Sequence, residues 1–103
     1  MANELADSIE RLARFLRDHN ESFWADKLDQ DAVWIRRDDA YGLDRFLGLF
    51  GGMGSLNDLV FHPLNGNCEE GEEADLNQQF RALRHDAWRR ARDVAPEMAA
   101  VEF

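Results

Sequence analysis

Residues 3–18 read NELADSIERLARFLRD. Leu5, Ile9, Leu12 and Leu16 recur at spacings of four, three and four, with Ala6 and Ala13 beside them. One face of an α-helix shows this stripe when it faces a core. Asp7, Arg11, Arg14 and Asp18 fall on the opposite side. Asp7–Arg11 and Glu10–Arg14 each place an acid four residues before a base, the more favourable order. The spacing predicts a helix over about 3–18, ending near His19–Asn20. An apolar stripe must be buried against another element, so the rest of the chain has to supply matching faces.

The far end supplies one. Leu76, Phe80, Leu83, Ala87, Ala91 and Val94 form a stripe over about 74–94, with Trp88 at its edge. Acids precede this helix and arginines fill its second half, which suits the helix dipole. Pro96 is expected to stop or restart it. Met98, Val101 and Phe103 are then available to fold back onto the body.

Two shorter helices are expected between these. Over about 21–36, Trp24, Leu28, Ala32 and Ile35 make one stripe. Phe23 and Trp34 lie off it, which points to burial on more than one side. Asp31 falls inside the stripe and needs an arginine, a backbone donor or solvent, because a buried carboxylate without a partner is costly. Arg36-Arg37-Asp38-Asp39 is a polar break, and Asp38 or Asp39 can cap the next helix. Leu43, Phe46, Leu47 and Phe50 give that helix a short apolar face over about 40–50. Gly51-Gly52 is expected to end it. Residues 56–62, LNDLVFH, suit a short strand or an extended buried segment. Residues 63–75, PLNGNCEEGEEAD, read as a loop with a turn at Asn65-Gly66. The fold class is mainly α. The reading is a single helical domain over 1–103, with four helices in a bundle-like arrangement and one short extended or β segment near 56–62.

Composition narrows the class of function. The 103 residues fit one domain. With 21 acids against 12 bases the chain carries a formal charge of −9, which argues against nucleic acid or an anionic membrane surface and permits a basic protein partner. No apolar run approaches the roughly 18 residues of a membrane span. The first ten residues hold three acids and no base, unlike a secretory leader. A lone cysteine, Cys68, cannot form an internal disulfide and fits a reducing compartment, so a cytoplasmic location is expected.

Motifs for chemistry are scarce. Gly51-Gly52-Met53-Gly54-Ser55 follows a helix and has no lysine, so it is neither a phosphate loop nor a dinucleotide fingerprint. Its expected role is a tight connection where the backbone passes close to a helix. Gly51, Gly52, Gly54, Ser55, Asn57 and Asp58 form this structural motif. The short polar side chains bond neighbouring backbone groups, while Leu56, Leu59, Val60 and Phe61 go to the core. His19, His62, His85 and Cys68 have no zinc spacing, and His19 and His85 read as polar-face residues. The Asn65–Gly71 stretch fails as a calcium loop at its glycine and glutamate places. No metal or cofactor is expected. Asp31, near Trp24 and Trp34, is the only candidate for a perturbed carboxylate, and one carboxylate does not make a mechanism. The chain is therefore read as a non-enzyme.

Charge layout is the more informative polar feature. Residues 46–80 hold no lysine or arginine and six acids: Asp58, Glu69, Glu70, Glu72, Glu73 and Asp75. Five of these, Glu69, Glu70, Glu72, Glu73 and Asp75, with Asp38 and Asp39, are the candidate partner-binding residues. The alternative role for the acidic loop is a solubilising surface. The last helix carries Arg81, Arg84, Arg89, Arg90 and Arg92 beside Trp88, a pattern that neighbouring acids can neutralise.

Leu49 to His62, LFGGMGSLNDLVFH, resembles a family of small bacterial proteins described only as a domain of unknown function. The similarity extends to WADKLDQ in the second helix and to the arginine-rich last helix. The resemblance implies a small, cytosolic, single-domain protein with no assigned activity. Some such domains look like immunity proteins, which neutralise toxins encoded beside them. By that analogy the expected function is an immunity-type inhibitor that occludes the basic cleft of a bacterial toxin. The other reading is a helical adaptor or self-associating module, possible as a homo-oligomer, with no toxin partner.

Overall fold

The computed structural model describes residues 2–51 and 54–101, with side-chain surroundings given through Pro96. It has four helices: α1 (Ala2–Asp18), α2 (Ser22–Arg36), α3 (Ala40–Gly48) and α4 (Glu73–Val101). Two 3-10 turns, Leu56–Asp58 and Pro63–Asn65, lie between α3 and α4. Among the described residues there is no strand. Residues 59–62 run extended without pairing. The segment expected near 56–62 thus begins as a helical turn and continues as an extended stretch.

The core forms where the stripes meet. Leu5, Ile9, Leu12 and Leu16 of α1 are fully buried, as are Leu28, Ala32 and Ile35 of α2. Leu76, Phe80, Ala87, Ala91 and Val94 of α4 join them, together with Leu43 and Phe46 of α3. α1 packs against both α2 and α4, and α3 packs mainly on α2. The α2–α3 contact is very close at Gly42. A Cβ there would lie 2.5 Å from the Trp34 Cβ, so only glycine lets the two helices approach this far.

The expected pairs along α1 are replaced by pairs between helices. Arg36 of α2 bonds Asp7 and Glu10 of α1, at 2.6 and 2.5 Å. Arg17 of α1 spans Asp26 and Asp29 of α2, at 3.0 and 2.7 Å. The Arg36 hydrogen bond holds the Asp7 carboxyl below its usual range.

Several local expectations change. α3 ends at Gly48, capped by Leu49 in ordinary helical conformation, so Gly51-Gly52 does not terminate it. Gly51 is exposed with open space around it, and Gly52 lies outside the described residues. α4 continues through Pro96 to Val101. Proline removes the bond to the Arg92 carbonyl and crowds that carbonyl with its ring. Arg92 and Pro96 are both exposed, so water can serve the freed carbonyl. The side chains of Met98 and Val101, and all of Phe103, lie outside the described residues. Phe23 is 65% exposed instead of packed, and Val60 is also exposed. His19 is not a polar-face residue. It bonds the Phe15 carbonyl and joins an aromatic cluster with Phe15 and the fully buried Phe61.

Candidate functional site

The glycine-containing motif is organised by its polar side chains. The Leu56 N–H donates to the Leu49 carbonyl at 2.7 Å, and the Asn57 amide donates to the Phe50 carbonyl at 2.8 Å. Asp58 accepts from the N–H groups of Gly54 and Ser55. These bonds tie Leu56 and Asn57 back to the end of α3 at Leu49 and Phe50. Gly54 sits at φ 73°, a left-handed conformation that glycine adopts without steric cost. Among the described residues, a Cβ at Gly51 or Gly54 would meet nothing within 4 Å. The close approach expected there occurs at Gly42, outside the motif.

The acidic segment lies at the end of the molecule where α1 turns into α2. Asn67, almost fully buried, accepts from the His62 N–H and donates to Glu21 and to the Val60 carbonyl. Asn20 donates to the Gly66 carbonyl. These bonds fasten residues 60–67 to the α1–α2 turn and carry Glu69–Asp75 to that end. Glu72 accepts from the Glu69 N–H and Glu73 from the Gly71 N–H, so two of the five acids also hold the loop in shape. Glu69 and Glu70 are exposed, and their carboxylates bond no described residue. Partial burial pushes the Cys68 thiol up, and the charges of Glu73, Glu72 and Glu69 push it further.

Two exposed apolar groups share this end. Leu64 is 91% exposed, in the turn two residues before Gly66. Phe23 lies in the first turn of α2, edge-on to Trp24 and beneath Lys27. Asp38 and Asp39 are elsewhere. They follow the far end of α2, which is about 22 Å long at 1.5 Å per residue. Asp39 caps α3 by accepting from the Tyr41 N–H, and Asp38 takes the left-handed conformation at φ 57°. The structure therefore keeps Glu69–Asp75 together and sets Asp38 and Asp39 apart from them.

A second polar feature is not evident from the sequence. Phe50 and Asn57 of the loop face Arg81, Arg84, His85 and Trp88 of α4 across an open cavity of about 440 Å³. The arginines of α4 differ in their partners. Arg89 and Arg90 pair with Asp86, Asp93 and Glu4. Arg81 and Arg84 pair with no carboxylate among the described residues. Arg92 instead lies over the Trp88 ring, 5.5 Å from its centre. Internal neutralisation thus accounts for Arg89 and Arg90 and leaves Arg81 and Arg84 as a basic pair. The arginines and Trp88 are visible in the sequence, but the loop that forms the opposite wall is not.

Asp31 is 1% exposed and its Oδ1 has no hydrogen-bond partner. Arg45 stands 3.7 Å away, between the faces of Trp34 and Tyr41. Burial pushes Asp31 up to about 6, against the opposing charges of Arg45 and Lys27. Among the described residues no three histidines, cysteines or carboxylates gather in a way that would hold a metal, and no helix is long and apolar enough to cross a membrane.

These features define a small all-α protein of four helices, with an acidic end and a basic groove on one long helix. Residues 17–68, half of the chain, match the family described as "Domain of unknown function (DUF6966)", and the chain belongs to that family. No curated protein and no solved structure matches it. The family match covers the glycine motif and α2 and stops before the acidic segment and α4.

Proposed function

We propose that this chain is a non-catalytic binding protein, an immunity-type inhibitor that docks on the basic cleft of a toxin through its acidic end. The observation that supports this reading is the pairing of Leu64 and Phe23, both exposed, with the unpaired carboxylates of Glu69 and Glu70 at the same end. Binding faces commonly combine apolar anchors with a charged rim: the anchors hold the complex and the rim steers the encounter. A cleft that handles nucleic acid or nucleotides is basic, so an acidic plug complements it. Among the described residues Asp31 is the one buried carboxylate, and a lone carboxylate 3.7 Å from Arg45 does not make general acid–base chemistry.

The test begins with capture of partners from the source cell by the tagged chain. The captured protein is then expressed alone and together with this chain. The inhibitor reading expects growth arrest in the first case and normal growth in the second. A partner that is harmless alone, or equally toxic with the chain present, overturns it. Recovery of nothing but further copies of the chain would favour the self-associating module instead.

A further inference from the structure

We propose that the groove between Phe50 and Asn57 on one side and residues 81–88 of α4 on the other binds a small phosphomonoester bearing a flat ring, of nucleoside monophosphate size. The site lies six residues beyond the acidic segment, about 9 Å along α4, and its occupancy does not depend on the docking proposed above.

Three observations carry this inference. The first is charge. Arg81 and Arg84 are three residues apart on α4 and line the same cavity. No carboxylate of the described residues pairs with either, although the protein is acidic overall. Burial, and then the charge of Arg81, holds Arg84 below its usual range. Two like charges kept close without a counter-ion are relieved by an anion, and guanidinium forks match the oxygens of a phosphate. The second is preorganisation. The Arg84 guanidinium lies over the Phe80 ring, 4.8 Å from its centre, so less side-chain freedom is lost when a ligand binds. The third is the aromatic surface. His85 and Trp88 stack at 28° with centres 6.2 Å apart, and Phe50 stands on the loop side. The Arg92 guanidinium lies over the Trp88 ring, 5.5 Å from its centre, so a flat heterocycle stacks on the exposed His85 ring or on Phe50. The Asn57 amide nitrogen is already committed to the Phe50 carbonyl, which leaves its side-chain oxygen as an acceptor. The volume of about 440 Å³ falls within the usual range of small-ligand pockets. A polynucleotide is a poorer fit, because a chain of charge −9 repels a polyanion and the groove offers only two unpaired arginines.

The test is a titration of the full-length, isotopically labelled chain with adenosine 5′-monophosphate at low ionic strength, followed by two-dimensional NMR. Adenosine and inorganic phosphate are titrated separately. The expected result is movement of the Trp88 indole N–H and of the amides of Asn57 and residues 81–88, with the monophosphate binding more tightly than either fragment. Arg81 is exposed, so Arg81→Gln leaves the fold intact; it is expected to weaken binding about tenfold, as loss of a charge-assisted hydrogen bond does. Arg84→Lys keeps the charge but loses the fork, and is also expected to weaken binding. No resonance shift at millimolar ligand, shifts confined to another face, phosphate binding as tightly as the nucleotide, or undiminished affinity in Arg81→Gln would each overturn the proposal.

Discussion

Replacing Asp31 by asparagine is expected to stabilise the protein at neutral pH and to lose that benefit in acid. Asp31 is buried, one of its oxygens has no hydrogen-bond partner, and Arg45 at 3.7 Å is beyond good hydrogen-bond range. Its carboxyl is raised from 3.8 to about 6 in the folded state. The folded protein therefore binds the Asp31 proton more tightly than the unfolded chain does. The stability this group contributes is fully present below about pH 4 and is lost as pH rises through about 6. At 1.36 kcal/mol per pH unit the loss amounts to about 3 kcal/mol. Asparagine has nearly the same shape and no charge. At neutral pH it should recover most of that loss, less about 1 kcal/mol where its amide lacks a partner. The assay is urea unfolding of both proteins at several values from about pH 4 to about pH 7.5, followed by far-ultraviolet circular dichroism. Every other titrating group cancels in the difference between the two. The difference should favour asparagine at neutral pH and shrink towards zero or reverse at the acid end. A difference that is independent of pH, or that grows as pH falls, would refute the reasoning.

Other contacts give further expected outcomes. Gly42→Ala puts a methyl group 2.5 Å from the Trp34 Cβ, so α2 and α3 must separate, at about 1–3 kcal/mol in urea unfolding. Asn67→Ala takes the acceptor from the His62 N–H, takes a partner from Glu21 and leaves the Val60 carbonyl to Asn65 alone; it is expected to cost about 1–2 kcal/mol, with hydrogen-exchange protection lost first across residues 60–67. Arg36→Gln breaks ion pairs with Asp7 and Glu10 that are largely exposed, so it should cost under about 1 kcal/mol, less still in high salt.

Some parts of this protein are legible in its sequence and others are hidden, for identifiable reasons. Burial in α1 follows its apolar period residue by residue, because one stripe meets one core. The break between α2 and α3 is likewise readable, since Asp39 is a cap that bonds the Tyr41 N–H. Phe23 departs from expectation because hydrophobicity alone does not say which side of a helix finds a partner; its side chain stays exposed. The importance of Gly42 is invisible in the sequence because it comes from a crossing helix and not from local conformation. The groove is half visible. The arginines of α4 are plain in the sequence, but whether acids neutralise them depends on side-chain positions, and these divide Arg81 and Arg84 from Arg89 and Arg90. The acidic loop is recognisable as a charge cluster. Its placement beside Leu64 and Phe23 depends on the Asn20–Gly66 and Asn67–Glu21 bonds, which join residues 46 apart in sequence.

The most direct test of the docking surface compares association of the captured partner with the native chain and with two surface variants. One variant reverses Glu69, Glu70 and Asp75 to lysine and leaves Glu72 and Glu73 to hold the loop. The other is Leu64→Ser. Association rates are measured by surface plasmon resonance across a range of salt concentrations. Docking through the acidic end should give the charge variant an association rate about tenfold or more lower at low salt, with its salt dependence flattened. Leu64→Ser should mainly speed dissociation. Unchanged rates in both folded variants would contradict the assignment of that end as the docking surface.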